Sequence, residues 1–238
     1  MHTKQIIKSI FPLLLLGTLS VGAYLEKPAE RPLAFVRKFK PKVGLEKAGK
    51  LQNVKKRGEP LYNGDTLRTD ENGFALVQFM DKSLAKVKPQ SQLVVRGEVK
   101  GKNNTSTRIG LEVGEIFLNV AKQGSNKFEV ATQTSVATVK GTKFGVEADN
   151  YFWVQEGVVQ VLSKRTGKKV DLTRNQYGRV TGDGDIKTGE LSDKDIKKKE
   201  EEYSDLNDQL KPKIYNLRFI DNNGQQRVIK LKVFENQK

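Results

Sequence analysis

The sequence predicts an all-β protein: a two-sheet sandwich or a solenoid of stacked strands, followed by one helix and a C-terminal β-hairpin. Three observations carry this. Short apolar runs, cut by turn residues, succeed one another from about residue 34 to residue 188. No helical period of useful length interrupts them, which excludes alternating helices and strands. The texture then changes at Thr181-Gly182-Asp183-Gly184-Asp185.

The elements follow in order. Lys4 and Lys8 precede an apolar run from Ile10 to Leu19, and Val21-Gly22-Ala23 places small residues where a leader peptidase cuts. Residues 1–23 therefore read as a secretory signal peptide. A retained N-terminal anchor is the rival reading, although Pro12, Gly17 and Ser20 interrupt a stretch that falls short of the ~20 residues needed to span a bilayer. Export follows from either, to the periplasm or the outer face of an inner membrane. A lipoprotein anchor is excluded, since no Cys follows the apolar run. Pro28, Pro32 and Pro41 make residues 24–42 a tether that leads into a first strand near Ala34–Phe39.

Residues 43–188 form the β domain. Asp70-Glu71-Asn72-Gly73, Asp81-Lys82 and Pro89-Gln90-Ser91 are turns, because Asn and Gly tolerate positive φ and Pro fixes its own. In Phe74–Phe79, the alternate sets Phe74/Leu76/Gln78 and Ala75/Val77/Phe79 are both partly apolar, so the strand is expected to be central. Leu111–Ala121 reads as one strand, and Lys127–Thr132, Thr134–Lys140, Lys143–Ala148, Tyr151–Gln155 and Val158–Ser163 follow. Gly101 to Ser106 reads as a polar surface loop; its two glycosylation sequons mark only possible acceptors.

Residues 189–238 are an appendage. Ser192 caps a helix, Asp195 completes the capping box, and Pro212 lies beyond the end. Ile196, Tyr203, Leu206 and Leu210 give a thin stripe suited to a helix laid on the domain. Beyond Lys211, Tyr215, Leu217 and Phe219 face Ile229, Leu231 and Val233 across an Asn222-Asn223-Gly224 turn. Such a hairpin needs a partner: the main sheet, a second copy, or another molecule.

Composition limits the chemistry. The chain has no Cys, and its one His, His2, leaves with the leader. Thiolate nucleophiles, Cys/His zinc sites and Ser-His-Asp triads each need a residue that the mature chain lacks. Carboxylate-pair and Ser-Lys chemistry stay open. The formal net charge is +15, with clusters at Arg37, Lys38 and Lys40, at Lys55, Lys56 and Arg57, and at Lys164, Arg165, Lys168 and Lys169. These form a candidate patch for an anionic partner, either an envelope protein or an envelope polymer, with a membrane surface also possible and no specific nucleic acid expected. Solubility alone is the plainer account of the charge.

The stretch SVATVKGTKFGVEAD, residues 135–149, interrupts a strand with Gly141-Thr142-Lys143. A phosphate loop requires Gly-Lys-Ser/Thr at the start of a helix, and here strands flank the motif. Gly within a strand marks a bend or a close approach, so Gly141 reads as a corner between stacked layers. The hydroxyl of Thr142 is then expected to bond a backbone group that would otherwise be buried unpaired.

In order, Gly64-Asp65, Leu67-Arg68-Thr69, Gly114, Val136-Ala137-Thr138-Val139-Lys140-Gly141-Thr142, Phe144 and Glu156-Gly157-Val158 resemble the signature elements of the FecR domain, over roughly residues 33–185. The resemblance implies an extracytoplasmic all-β domain of two sheets wound in solenoid fashion. In regulatory members, the resemblance further implies a periplasmic domain that receives a signal from an outer-membrane transporter and relays it to a sigma-factor-binding segment. Only nine residues precede Ile10, too few for that segment, so the expectation is a sensing or binding half without the relay. The structural signature set is Gly64, Asp65, Thr69, Gly114, Val139, Gly141, Thr142, Phe144, Glu156 and Gly157.

No catalytic, metal or cofactor residues are expected. Asp183-Gly184-Asp185-Ile186-Lys187 lacks the remaining calcium ligands and reads as a turn. Tyr151, Phe152 and Trp153 read as core rather than as a stacking platform. The expected function is therefore a non-catalytic exported interaction module. The alternatives are a periplasmic signal-receiving component and, with no supporting constellation in the sequence, a glycan hydrolase built on two carboxylates ~5 to 9.5 Å apart. A scaffold component assembled through the helix and hairpin is a further possibility.

Overall fold

The computed structural model describes residues 30–233 apart from 41, 101–103, 125, 209–212 and 222. The leader, much of the tether, Pro212 and Asn222 lie outside the described residues, as does part of the loop expected at 101–106.

The chain opens with β1 (Ala34–Phe39), β2 (Val43–Lys47), β3 (Lys50–Asn53), β4 (Glu59–Leu61) and β5 (Thr66–Thr69). It then winds through β6 (Ala75–Phe79), β7 (Leu84–Val87), β8 (Gln92–Lys100), β9 (Asn104–Val113) and β10 (Glu115–Asn119). Next come β11 (Lys127–Ala131), β12 (Ser135–Val139), β13 (Lys143–Glu147) and β14 (Tyr151–Glu156). The last coil contains β15 (Val159–Ser163), β16 (Lys169–Leu172), β17 (Gln176–Val180) and β18 (Ile186–Glu190).

Two nine-stranded sheets result. One runs β18-β17-β14-β13-β10-β7-β6-β1-β4 and the other β16-β15-β12-β11-β9-β8-β5-β2-β3. The chain thus lays about two strands in one layer, crosses, and lays two in the other. Neighbours are antiparallel except β9 and β11, which pair in parallel. Alternation decides what lies between the layers: Val36, Val77, Phe79, Ile116, Phe128, Val139, Phe144, Phe152 and Val161 all point inward and are buried together. Phe79 meets Phe128 edge-on at 5.4 Å. As expected, β6 is central, with Val77 and Phe79 in this core and Leu76 buried on the opposite face.

Two expectations are corrected. Leu111–Ala121 is two strands in different layers, because Gly114 turns the corner with φ of +83°. A Cβ there would lie 2.1 Å from Ser91 Oγ and 2.6 Å from Ser91 Cα, so only glycine fits. In the polar segment at 101–106, Asn104–Ser106 already belong to β9, paired with β8.

Beyond β18, Ser192 Oγ accepts the Asp195 N–H at 3.2 Å and donates to its carboxylate at 2.6 Å, opening α1 (Asp193–Asp208). The terminal strands β19 (Lys213–Ile220) and β20 (Gln226–Val233) form a sheet of their own. Their register sets Tyr215 opposite Leu231 and Leu217 opposite Ile229, while Phe219 faces Arg227 and Val233 faces Lys213.

Candidate functional site

Most of the signature residues sit at corners. Thr69 Oγ1 donates to the Lys88 carbonyl at 2.5 Å and accepts the Ser91 N–H at 3.0 Å, and Ser91 Oγ accepts the Glu115 N–H at 3.1 Å. Three successive layer changes are thereby stitched together. Gly141, with φ of +98°, leads from β12 to β13, and Thr142 Oγ1 donates to the Val158 carbonyl at 3.0 Å. Gly157 abuts both, and Glu156 pairs with Lys143 at 2.7 Å. Gly64 and Asp65 occupy the turn before β5, where the Asp65 carboxylate accepts the Tyr62 N–H at 2.9 Å. Val139 and Phe144 lie in the inner core. The set is spread along the coils and converges on no common cleft.

The cation clusters occupy different places. Lys55, Lys56 and Arg57 are exposed beside β4, and Gly58 bonds the Val36 carbonyl at 2.8 Å, so they neighbour Arg37, Lys38 and Lys40. Lys164, Arg165, Lys168 and Lys169 lie at the opposite end of the winding, around the β15–β16 turn. The edges of each sheet are eight strand spacings, about 38 Å, apart, and the two groups lie toward opposite edges. Within this distal group, Lys168 pairs with Asp185, Arg165 donates to the Gly182 carbonyl at 2.6 Å, and Lys164 donates to the Thr132 and Gln133 carbonyls. Burial, with Arg108 nearby, lowers the pKa of Lys164. Asp183 accepts from Thr181 and from the Asp185 N–H, forming a turn. Among the described residues no group of acidic or histidine side chains is gathered to hold a metal ion.

The proximal cations meet others that the linear sequence did not single out. Lys38 and Lys40 line a cleft of about 440 Å³ together with Lys86, Lys88, Phe39, Phe74 and Glu202. Lys40 Nζ lies 5.6 Å from the centre of the Phe74 ring. One wall belongs to α1, and the reason is a second core on the outer face of the first sheet. There Leu76, Leu84, Phe117 and Trp153 are roofed by Tyr203, which is 1% exposed. Tyr203 stacks on Phe117 at 4.2 Å, and Trp153 lies 5.3 Å from Phe117. Trp153 rests on Gly145, where a Cβ would fall 2.0 Å from its Nε1. Tyr151, Phe152 and Trp153 are therefore packing residues, with Phe152 inward and Trp153 beneath the helix.

A polar network seals this roof. The Tyr203 hydroxyl donates to Glu115 Oε1 at 2.6 Å, and Lys88 Nζ pairs with Glu115 Oε2 at 2.7 Å and with Glu202. Lys86 Nζ donates to the Glu202 carbonyl at 2.9 Å. Burial pulls the Lys88 ammonium down, but its bonds to Glu115 and Glu202 prevail and raise its pKa. Burial, and then the Glu115 charge, push the Tyr203 phenol well above its ordinary range. Lys199 sits 4.4 Å over Trp153, and burial lowers its pKa despite three nearby glutamates.

Glu147 stands directly across from Glu115 in the β10–β13 ladder. Burial, then Glu115 and Asp149, raise its pKa. Glu112, Glu115, Glu147 and Asp149 line one open groove. Three of these carboxylates are engaged: Glu112 accepts from Gln92, Asp149 pairs with Arg179, and Glu115 has both oxygens bonded. Sequence reasoning missed the network around Tyr203 because Lys86 and Glu202 are 116 residues apart. The available signal was the spacing of two between Lys86 in β7 and Lys88 just beyond its end, which in extended chain puts both on one face.

Comparisons with known proteins add the following. A family model described as "FecR protein" matches residues 65–160. No curated protein matches the chain. Two crystal structures of a "putative anti-sigma factor" from Parabacteroides distasonis ATCC 8503, at 1.65 and 2.50 Å resolution, align with a TM-score of 0.47 and 18% identity. Each alignment covers 56% of this chain and 62% of the other, less than two thirds of that protein's length.

Proposed function

Taking the FecR match across residues 65–160 as the premise, we propose that the chain is a non-catalytic, exported interaction module that holds an anionic partner in the lysine-lined cleft beside α1. One observation carries the reading: Lys38, Lys40, Lys86 and Lys88 converge there against two phenylalanines, with Glu202 the single carboxylate among the lining residues. Cations over an apolar wall suit a carboxylate- or phosphate-bearing protein segment or polymer, since the wall desolvates the contact and Lys38 and Lys40 supply complementary charge, while Lys88 is already paired with Glu115 and Glu202. The FecR match supports a second, narrower reading, in which occupancy of this cleft is a received signal. A hydrolytic role is disfavoured by the engagement of Glu115, which leaves Glu147 without a free neighbouring carboxylate to act as its counterpart. Among the described residues no helix is long and apolar enough to cross a membrane.

The test places a photo-cross-linking residue at exposed Asn72, on the rim of the cleft, and another at Lys169 on the distal edge, each in the full chain in cells. The expected result is an adduct from position 72 that is absent from position 169. It should be weakened several-fold by Lys38→Gln with Lys40→Gln. Identical adducts from both positions, or capture indifferent to the two lysines, would overturn the proposal. Protease accessibility of the chain in intact and permeabilised cells checks export separately.

A further inference from the structure

The hairpin β19–β20 presents one contiguous apolar face. Tyr215, Leu217 and Phe219 lie on one strand and Ile229 and Leu231 on the other. Leu217 is 53% exposed, Ile229 48%, Phe219 44% and Leu231 40%. On the reverse face the apolar residues are interrupted: Asn216 is opposite Lys230, and Arg218 opposite Val228. From Lys213 to Val233 the segment carries five basic residues and one acidic one, and that acid, Asp221, is taken by Arg227 at 2.8 Å.

A two-stranded sheet is marginal in water unless something covers its apolar face. Two quantities decide what does. Eight residues at 3.3 Å each, across two strands, give a face of roughly 250 Å². A stable protein pair buries ~800 Å² of accessible surface on each partner, and even if side-chain relief doubles the flat footprint this face falls short of it. Charge argues the same way, because two copies of this cationic segment repel. A bilayer surface asks for neither a large matched area nor a partner fold. It accepts an apolar face at the depth of the headgroups and rewards nearby Arg and Lys when the lipids are anionic. Water in the headgroup region also hydrates the two open strand edges. We propose that the hairpin is an interfacial anchor, seated through Leu217, Phe219, Ile229 and Leu231 on an anionic lipid surface. This site is separate from the lysine-lined cleft and does not depend on it.

The chain has no cysteine, so single cysteines introduced as Leu217→Cys on the apolar face and Val228→Cys on the reverse can be labelled cleanly with an environment-sensitive nitrobenzoxadiazole dye. The full chain is then titrated with phosphatidylglycerol/phosphatidylcholine vesicles and with phosphatidylcholine vesicles alone. The dye at 217 is expected to shift to the blue and brighten at least about twofold on the anionic vesicles, with a smaller response at 228. Arg218→Gln with Lys230→Gln, which leaves the apolar face whole, should weaken the response several-fold. Three results would overturn the proposal: no response at 217 at saturating anionic lipid, lipid affinity unchanged in the charge variant, or a response at 217 that follows protein concentration without lipid. The last would assign the face to a second copy.

Discussion

The protein buries aromatic side chains in two places, and the two are built differently. Between the sheets, Phe79, Phe128, Phe144 and Phe152 are buried among apolar residues contributed by strands of both layers. On the outer face, Phe117 and Trp153 are roofed chiefly by Tyr203 of α1, with Lys199 of the same helix over Trp153, and the Tyr203 hydroxyl and flanking Glu202 are bound to Glu115, Lys86 and Lys88. The first core is the fold; the second is an attachment made on a fold that already exists. Charged groups therefore collect around the second, where water can reach them.

The sharpest way to break this comparison is a pair of truncations. Phe152→Ala removes a fully buried ring between the sheets and should reduce the unfolding free energy by about 3–5 kcal/mol, with all strands melting together in a urea titration followed by far-UV circular dichroism. Tyr203→Ala should leave the strand midpoint nearly where it was and expose the helix to limited proteolysis near Lys197. Equal shifts of the strand midpoint in both variants would show that the two cores are one cooperative unit.

A smaller effect is expected at the corner. Thr142→Val keeps the shape of the side chain but leaves the Val158 carbonyl without its hydroxyl donor, which should cost about 1–3 kcal/mol in the same titration. Retention of full stability would mean that the corner is held by Gly141 and its neighbours alone.

The smallest effect is a gain. Because burial, then Glu115 and Asp149, raise the pKa of Glu147 in the folded chain, ionising it is harder there than in the unfolded chain. The resulting penalty is absent below the ordinary carboxylate value of 4.5, grows as pH climbs toward the raised value, and is constant above it. Glu147→Gln should therefore raise the melting temperature at neutral pH and leave it unchanged near pH 3.5. A gain of equal size at both would point to packing rather than charge.

What was legible in the sequence follows the same division. Alternating apolar positions are local, so the all-β winding, the central β6, the Ser192 cap and the apolar face of the hairpin could be read directly. Gly114 was read as continuing a strand because its flanks, Val113 and Glu115, look equally extended; only the approach of Ser91 shows that it turns. The cleft was half visible. Lys38 and Lys40 stood out as charge, but Lys86 and Lys88 belong to none of the charge clusters, and nothing near them in sequence announces Tyr203 or Glu202. A site closed by a segment more than a hundred residues away leaves no local periodicity to find.

The route of α1 has a mechanical consequence. Leaving the edge strand β18, the helix reaches Trp153 on β14 and Phe117 on β10. Ten residues at 1.5 Å advance about 15 Å, of the same order as the four ~4.8 Å strand spacings between β18 and β10. The helix is a strap laid across the rungs and buckled about two-thirds of the way along by the Tyr203 ring. Tension applied at the C-terminal end is delivered to that buckle in the middle of the sheet before it can peel the outermost strand, so the roof over the second core yields first while the wound body keeps its shape.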